Sequence, residues 1–126
     1  MIIKLDIKPL SVNQVWRGRR FKTPEYKQYE KDVSLLLCSQ RLLYKNSSLK
    51  EDNKYYFEVS YIFYLRNFHC FDIDNCIKPL QDILVKNGII PDDRRIVKFT
   101  AQKIPSKIDR IEIGIKVIED LQKEGI

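Results

Sequence analysis

The sequence predicts a single α+β domain with the element order β-α-β-α-β-β, a mixed sheet and two helices. Three observations carry that expectation. Several short runs either alternate apolar and polar residues or are rich in aromatic and β-branched side chains, as strands are. Two longer stretches repeat apolar residues near every 3.6 positions, the period of a half-buried helix. The chain of 126 residues has the length of one domain and shows no internal repeat, low-complexity segment or linker, so 1–126 is read as one unit.

Taken in order, Ile3, Leu5 and Ile7 alternate with Ile2, Lys4 and Asp6, and Pro9 closes this first strand. Residues 10–23 then lose periodicity and interleave Trp16 and Phe21 with Arg17, Arg19, Arg20 and Lys22. Guanidinium groups fork onto phosphate oxygens and aromatic rings stack on bases, so an exposed nucleic-acid-binding loop is expected here. A solvated loop that merely tucks its two rings into the core has the same composition. Thr23, Pro24 and Glu25 look like an N-cap, a first helical residue and an acid suited to a helix N-terminus. Tyr26, Tyr29, Val33, Leu36, Leu37 and Leu43 then mark one helix face through about residue 44, and a polar connection follows to Asn53. Residues 54–65 are expected as one long strand. Val97, Phe99 and Ala101 form the inward set of a further strand, and Ile111, Ile113, Ile115 and Val117 that of the last. Pro105, Ser106 and Lys107 between them predict a hairpin. The tail from Glu119 is polar.

Composition narrows the classes. The net charge is +6, distributed as +7 over residues 1–50, −4 over 51–93 and +3 over 94–126. A basic surface around an acidic centre suits an enzyme that grips phosphates broadly and concentrates carboxylates where a divalent cation sits. Cys38, Cys70 and Cys76 are odd in number and make no C-x-x-C pair, which argues against a disulfide scaffold or a zinc ribbon. No leader or membrane-length apolar run is present, so a cytoplasmic protein without membrane contact is expected. His69 is the only histidine and makes a poor metal site.

The chemistry concentrates in residues 71–95, FDIDNCIKPLQDILVKNGIIPDDRR. Asp74 reads as an N-cap, and Ile73, Ile77, Leu80 and Leu84 give the helix behind it an apolar face to about Asn87, where Gly88 stops it. Asp74, Lys78 and Asp82 share one row of that helix because residues four apart are neighbours. Asp72 lies just ahead of the row and Asp92 and Asp93 just after the helix, so Asp93 joins the other acids only if the connection folds back. Mg²⁺ takes oxygen ligands and keeps several waters, so a few carboxylates suffice to hold it against a phosphodiester. The bland reading is an N-cap and an ordinary Lys78–Asp82 pair. An EF-hand is excluded, because the positions that need Gly and Glu hold Ile77 and Ile83.

The run Asp72, Ile73, Asp74, Asn75, then Lys78, Asp82, Asn87-Gly88 and Asp92-Asp93, resembles the signature of the RusA family of Holliday junction resolvases. Pro9, Ser11, Asn13 and Trp16 resemble the family's opening segment. The resemblance implies a RusA-like fold and a homodimeric, Mg²⁺-dependent endonuclease (Mn²⁺ being an alternative) that makes paired nicks in four-way junction DNA. It further implies that Asp72, Asp74 and Asp93 are metal-binding catalytic acids, Lys78 the catalytic lysine and Asn75 a supporting residue. The chain departs from the family at Phe71, where a basic residue often precedes the first aspartate. A non-catalytic nucleic-acid-binding module and a fork or flap nuclease of the same fold are the alternatives.

Overall fold

A computed structural model describes residues 1–11, 16–17, 21–40 and 55–119, with the backbone alone at 16–17 and 21–22. Strand β1 spans Ile2–Leu5, and a minimal ladder pairs β2 (Trp16–Arg17) with β3 (Phe21–Lys22). Helix α1 covers Pro24–Ser39, β4 Tyr56–Leu65, α2 Ile73–Lys86, β5 Ile96–Pro105 and β6 Arg110–Ile118. The main sheet has the order β1-β6-β4-β5 and is mixed, since β4 pairs parallel with β5 but antiparallel with β6. The α+β class, the mixed sheet and the two helices are therefore as the sequence predicts.

Burial alternates without a break along β4: Phe57, Val59, Tyr61, Phe63 and Leu65 are buried and the residues between them half-buried. The buried parity meets Ile3 and Leu5 of β1, Ile111, Ile113 and Ile115 of β6, and the apolar stripes of both helices, in one core. Tyr29, Val33 and Leu37 come from α1; Cys76, Ile77, Leu80, Ile83 and Leu84 come from α2. Thr23 caps α1, accepting from Tyr26 N at 3.2 Å, with Pro24 as the first helical residue. That helix stops at Ser39, earlier than the periodicity suggested, and Gln40 turns aside to donate its Nε2 to Lys4 O at 2.7 Å. Leu43 and the connection to Asn53 lie outside the described residues.

The expected hairpin does not form. β5 and β6 run in opposite directions, but β4 lies between them. The connection crosses the end of β4 and is fastened there: Ser106 N donates to Leu65 O at 3.0 Å, and Arg66 N donates to Asp109 Oδ1 at 2.8 Å. The turn chemistry read correctly as a reversal; what it could not reveal is that the most apolar strand takes a neighbour on each side. As an edge strand, β5 is poorly covered, and Phe99, expected to point inward, is 54% exposed.

Candidate nuclease site on the β4-α2-β5 unit

The parallel pairing of β4 with β5 requires a crossover, and α2 supplies it. The sequence around the crossover fixes its two ends. At the start, Asp72 is the cap residue in extended conformation (φ −86°, ψ 130°), and Asp74 falls inside the first turn, so the cap position belongs to Asp72 rather than Asp74. The Asp72 side chain makes no capping bond; its Oδ2 accepts from Asn75 Nδ2 at 3.4 Å. Asp74 has no hydrogen-bond or ion-pair partner among the described residues, and its negative charge favours the helix N-terminus. At the far end, Gly88 takes φ +74°, and Gly88 N and Ile89 N donate to Val85 O and Leu84 O, both at 3.0 Å. This is the Schellman closure, which needs a left-handed residue at the glycine position.

Packing holds α2 in place. Tyr61 Oη donates to Gln81 Oε1 at 3.1 Å from the centre of the sheet. Asn87 Nδ2 donates to Ser34 Oγ at 3.0 Å, and Lys86 pairs with Glu30, so both tie α2 to α1. Pro79 stands within the helix and removes the N–H that the Asn75 carbonyl would otherwise accept.

The entry to the helix is held by a residue that the motif does not contain. Lys103 of β5 donates from Nζ to Phe71 O at 2.9 Å and to Phe68 O at 3.1 Å, and lies 4.2 Å from the Phe68 ring centroid. It thus grips the short 3₁₀ turn Phe68–Cys70 and the peptide unit immediately before Asp72. Its signal was present in the sequence: Lys103 shares the parity of Val97, Phe99 and Ala101, where an apolar residue would be expected. Phe71 itself is buried, with Lys8 Nζ 5.6 Å from its ring. His69 packs edge-on against Phe68.

Lys78 turns away from Asp74. Its Nζ lies 2.8 Å from Asp82 Oδ1 and 3.5 Å from Asp93 Oδ2. The connection after Gly88 therefore does fold back, and it brings Asp93 to Lys78. The Asp82 hydrogen bond, followed by the nearby carboxylate charges, favours the cation and raises the Lys78 pKa. Asp92 faces elsewhere: its Oδ1 accepts from Arg94 N, while Oδ2 accepts from Arg94 Nε and Nη2 at 3.0 and 2.8 Å. Those bonds lower the Asp92 pKa to about 2. Asp72 and Asp74 both act on the Cys76 thiol, whose pKa is pushed up to about 11, first by burial.

Among the described residues no three Asp, Glu, His or Cys side chains converge closely enough to hold a metal ion. The donor chemistry nonetheless fits a hard cation, since Asp72 and Asp74 present exposed carboxylates two residues apart and Mg²⁺ needs only a few of them besides water. Arg17 and Lys22 lie on the β2–β3 ladder, and Arg19 and Arg20 lie outside the described residues. All three cysteines are free, Cys38 and Cys70 being exposed and Cys76 buried. No helix among the described residues is long and apolar enough to cross a membrane.

No curated protein matches the chain. The family model of endodeoxyribonuclease RusA matches residues 8–116, from the segment after β1 to the last strand, with the whole crossover and its acids inside the match. The chain belongs to the RusA endodeoxyribonuclease family.

Proposed function

We propose that this family member is a Mg²⁺-dependent endonuclease that resolves four-way DNA junctions by paired, symmetric nicks as a homodimer. The observation that supports the reading most is the proximity of Lys78 to Asp93, which joins the two separated halves of the acidic motif across the crossover. Asp72 and Asp74, with Asp93, would hold the cation. Bound there, it would supply Lewis-acid polarisation of a phosphoryl oxygen and a more acidic attacking water. The chain's own groups do the rest. Lys78 stays protonated between Asp82 and Asp93, so its role is to stabilise negative charge on the phosphorane or the leaving oxygen rather than to accept a proton. Asn75 orients the Asp72 carboxylate through Nδ2. Arg17, Arg19, Arg20 and Lys22 grip backbone phosphates beside the cut.

Two symmetric nicks need two sites, and each chain carries one acidic constellation; a C₂ pair on the axis of the junction meets that need. The outer face of β4, with half-buried Ile62 and Tyr64, is a surface that could join the copies. A labelled synthetic four-way junction, with forks, flaps and linear duplex beside it, tests the reading. The expected result is paired symmetric cleavage of the junction with Mg²⁺ and none with chelator. Cleavage of forks or flaps in preference to the junction, or a strict monomer on sedimentation with junction DNA instead of about twice the 15.1 kDa chain mass, overturns it.

A further inference from the structure

Beyond Asp93 the chain builds a second feature that the acidic motif does not require. Tyr56, Pro91, Asp92, Arg94 and Arg95 surround an open hollow of about 620 Å³ at the start of β4 and β5. The Arg95 guanidinium lies 5.3 Å from the centroid of the Tyr56 ring, within reach of a cation–π contact with a rigid aromatic surface. Among the described residues Arg95 has no carboxylate partner. Arg94 is held differently. Asp92 clasps its Nε and one Nη2 hydrogen, which leaves three of its five N–H donors free on a side chain that is 87% exposed. Both cations are therefore oriented before any ligand arrives, and both carry unused donors.

We infer that this hollow is a seat for a nucleic-acid backbone phosphate, with Arg95 as its unpaired charge and Arg94, set by Asp92, as its second fork. The inference rests on the nuclease reading for its ligand, and it adds to the substrate surface a pair of cations immediately after Asp93 in the chain. Guanidinium forks match phosphate geometry, and two of them on consecutive residues constrain where the strand lies. Asp92 is then a positioning residue for Arg94. Occupancy of the seat would register a neighbouring phosphate of the strand that passes Lys78 and Asp93.

The test is the salt dependence of binding, measured by fluorescence anisotropy with chelator present so that no strand is cut. Labelled four-way junction and linear duplex are titrated with the wild type, Arg94→Gln, Arg95→Gln and Lys107→Gln. Lys107 is exposed, beyond the other end of β5, and its substitution removes the same charge. Removing one cation from a phosphate lowers the magnitude of the log–log salt slope by about 0.9, so over a fourfold rise in salt the affinity falls about 3.5-fold less than for wild type. The expected result is that change for Arg95→Gln and Arg94→Gln, with thermal unfolding unaltered for Arg95→Gln, and the wild-type slope for Lys107→Gln. Wild-type slopes for both arginine variants, or an equal change for Lys107→Gln, overturn the seat. If the slopes change as expected but junction and duplex bind alike, the seat stands and the junction reading falls. A wild-type chain that binds neither DNA overturns both.

Discussion

Substituting Lys103→Met keeps most of the aliphatic stem and deletes the ammonium that holds the entry to α2. What disappears is donation to Phe71 O and Phe68 O, at 2.9 and 3.1 Å, and the cation over the Phe68 ring. Hydrogen bonds to a charged donor contribute about 1.5–3 kcal/mol each when well shielded. Lys103 is only half-buried and water can reach the freed carbonyls in part, so the two bonds together are expected to contribute about 2–3 kcal/mol. For a chain of this length each kcal/mol moves Tm by ~3–5 °C, which gives a fall of about 6–15 °C. The assay is thermal unfolding in chelator, so that no bound metal contributes to the midpoint. Lys103→Arg keeps a donor for both carbonyls and should recover at least half of the fall. Junction cleavage should decrease with Lys103→Met even well below its melting range, because the Phe71 carbonyl belongs to the peptide unit that leads into Asp72. A Lys103→Met protein with wild-type Tm and cleavage rate would show that the ammonium does not hold the entry to α2.

Asp74→Asn should abolish cleavage while junction binding survives or tightens, since shape is kept and one negative charge near the phosphate is removed; residual activity above about a tenth of wild type, less than ~1.4 kcal/mol in the barrier, removes Asp74 from the ligand set. Gly88→Ala meets no atom within 4 Å, so its cost is the left-handed backbone alone, about 1–2 kcal/mol in urea unfolding, and a neutral result would deny the Schellman closure its role. A thiol reagent at pH 8 should label Cys38 and Cys70 in the native protein and Cys76 only after unfolding; labelling of all three at equal rates contradicts the packing of α2. Because the folded Cys76 pKa is raised from 9.0 to about 11, the unfolded chain gives up that proton first. Its contribution to stability is thus full below pH 9 and declines as pH climbs toward 11, which denaturant midpoints across that range would register.

Local patterns stood out in the sequence wherever one element decides its own form. Thr23 and Pro24 start α1, Gly88 ends α2, and the alternation of Ile111, Ile113 and Ile115 gives β6 its inward face. What a neighbouring element decides was not visible. The turn at Ser106 could not disclose that β4 would lie between β5 and β6, nor could the parity of Phe99 disclose that its strand would stand at an uncovered edge. The same division runs through the site. Spacing put Asp74, Lys78 and Asp82 in one row, yet only the folded connection shows that Lys78 answers to Asp82 and Asp93 and leaves Asp74 alone. Lys103, Arg94 and Arg95 lie outside the acidic pattern, and Lys103 and Arg95 act through partners distant in sequence, Phe71 and Tyr56.

The pairing of the first strand with the last also governs when a nuclease of this kind can exist during synthesis. β1 finds its only neighbour among the described strands in β6, with Ile2 opposite Gly114 and Leu5 opposite Ile111. β4 likewise gains its antiparallel neighbour only then. A chain still on the ribosome, with β6 inside the exit tunnel, can therefore form α1 and α2 but cannot close the sheet against which they pack. Contacts so distant in sequence are slow to form, because loop closure must precede any gain from pairing. An unfinished or prematurely terminated copy lacking residues 110–118 would hold its carboxylates on an unsupported helix. Removal of residues 110–118 is therefore expected to leave β1 and β4 without their antiparallel neighbour, and the helices without a closed sheet beneath them.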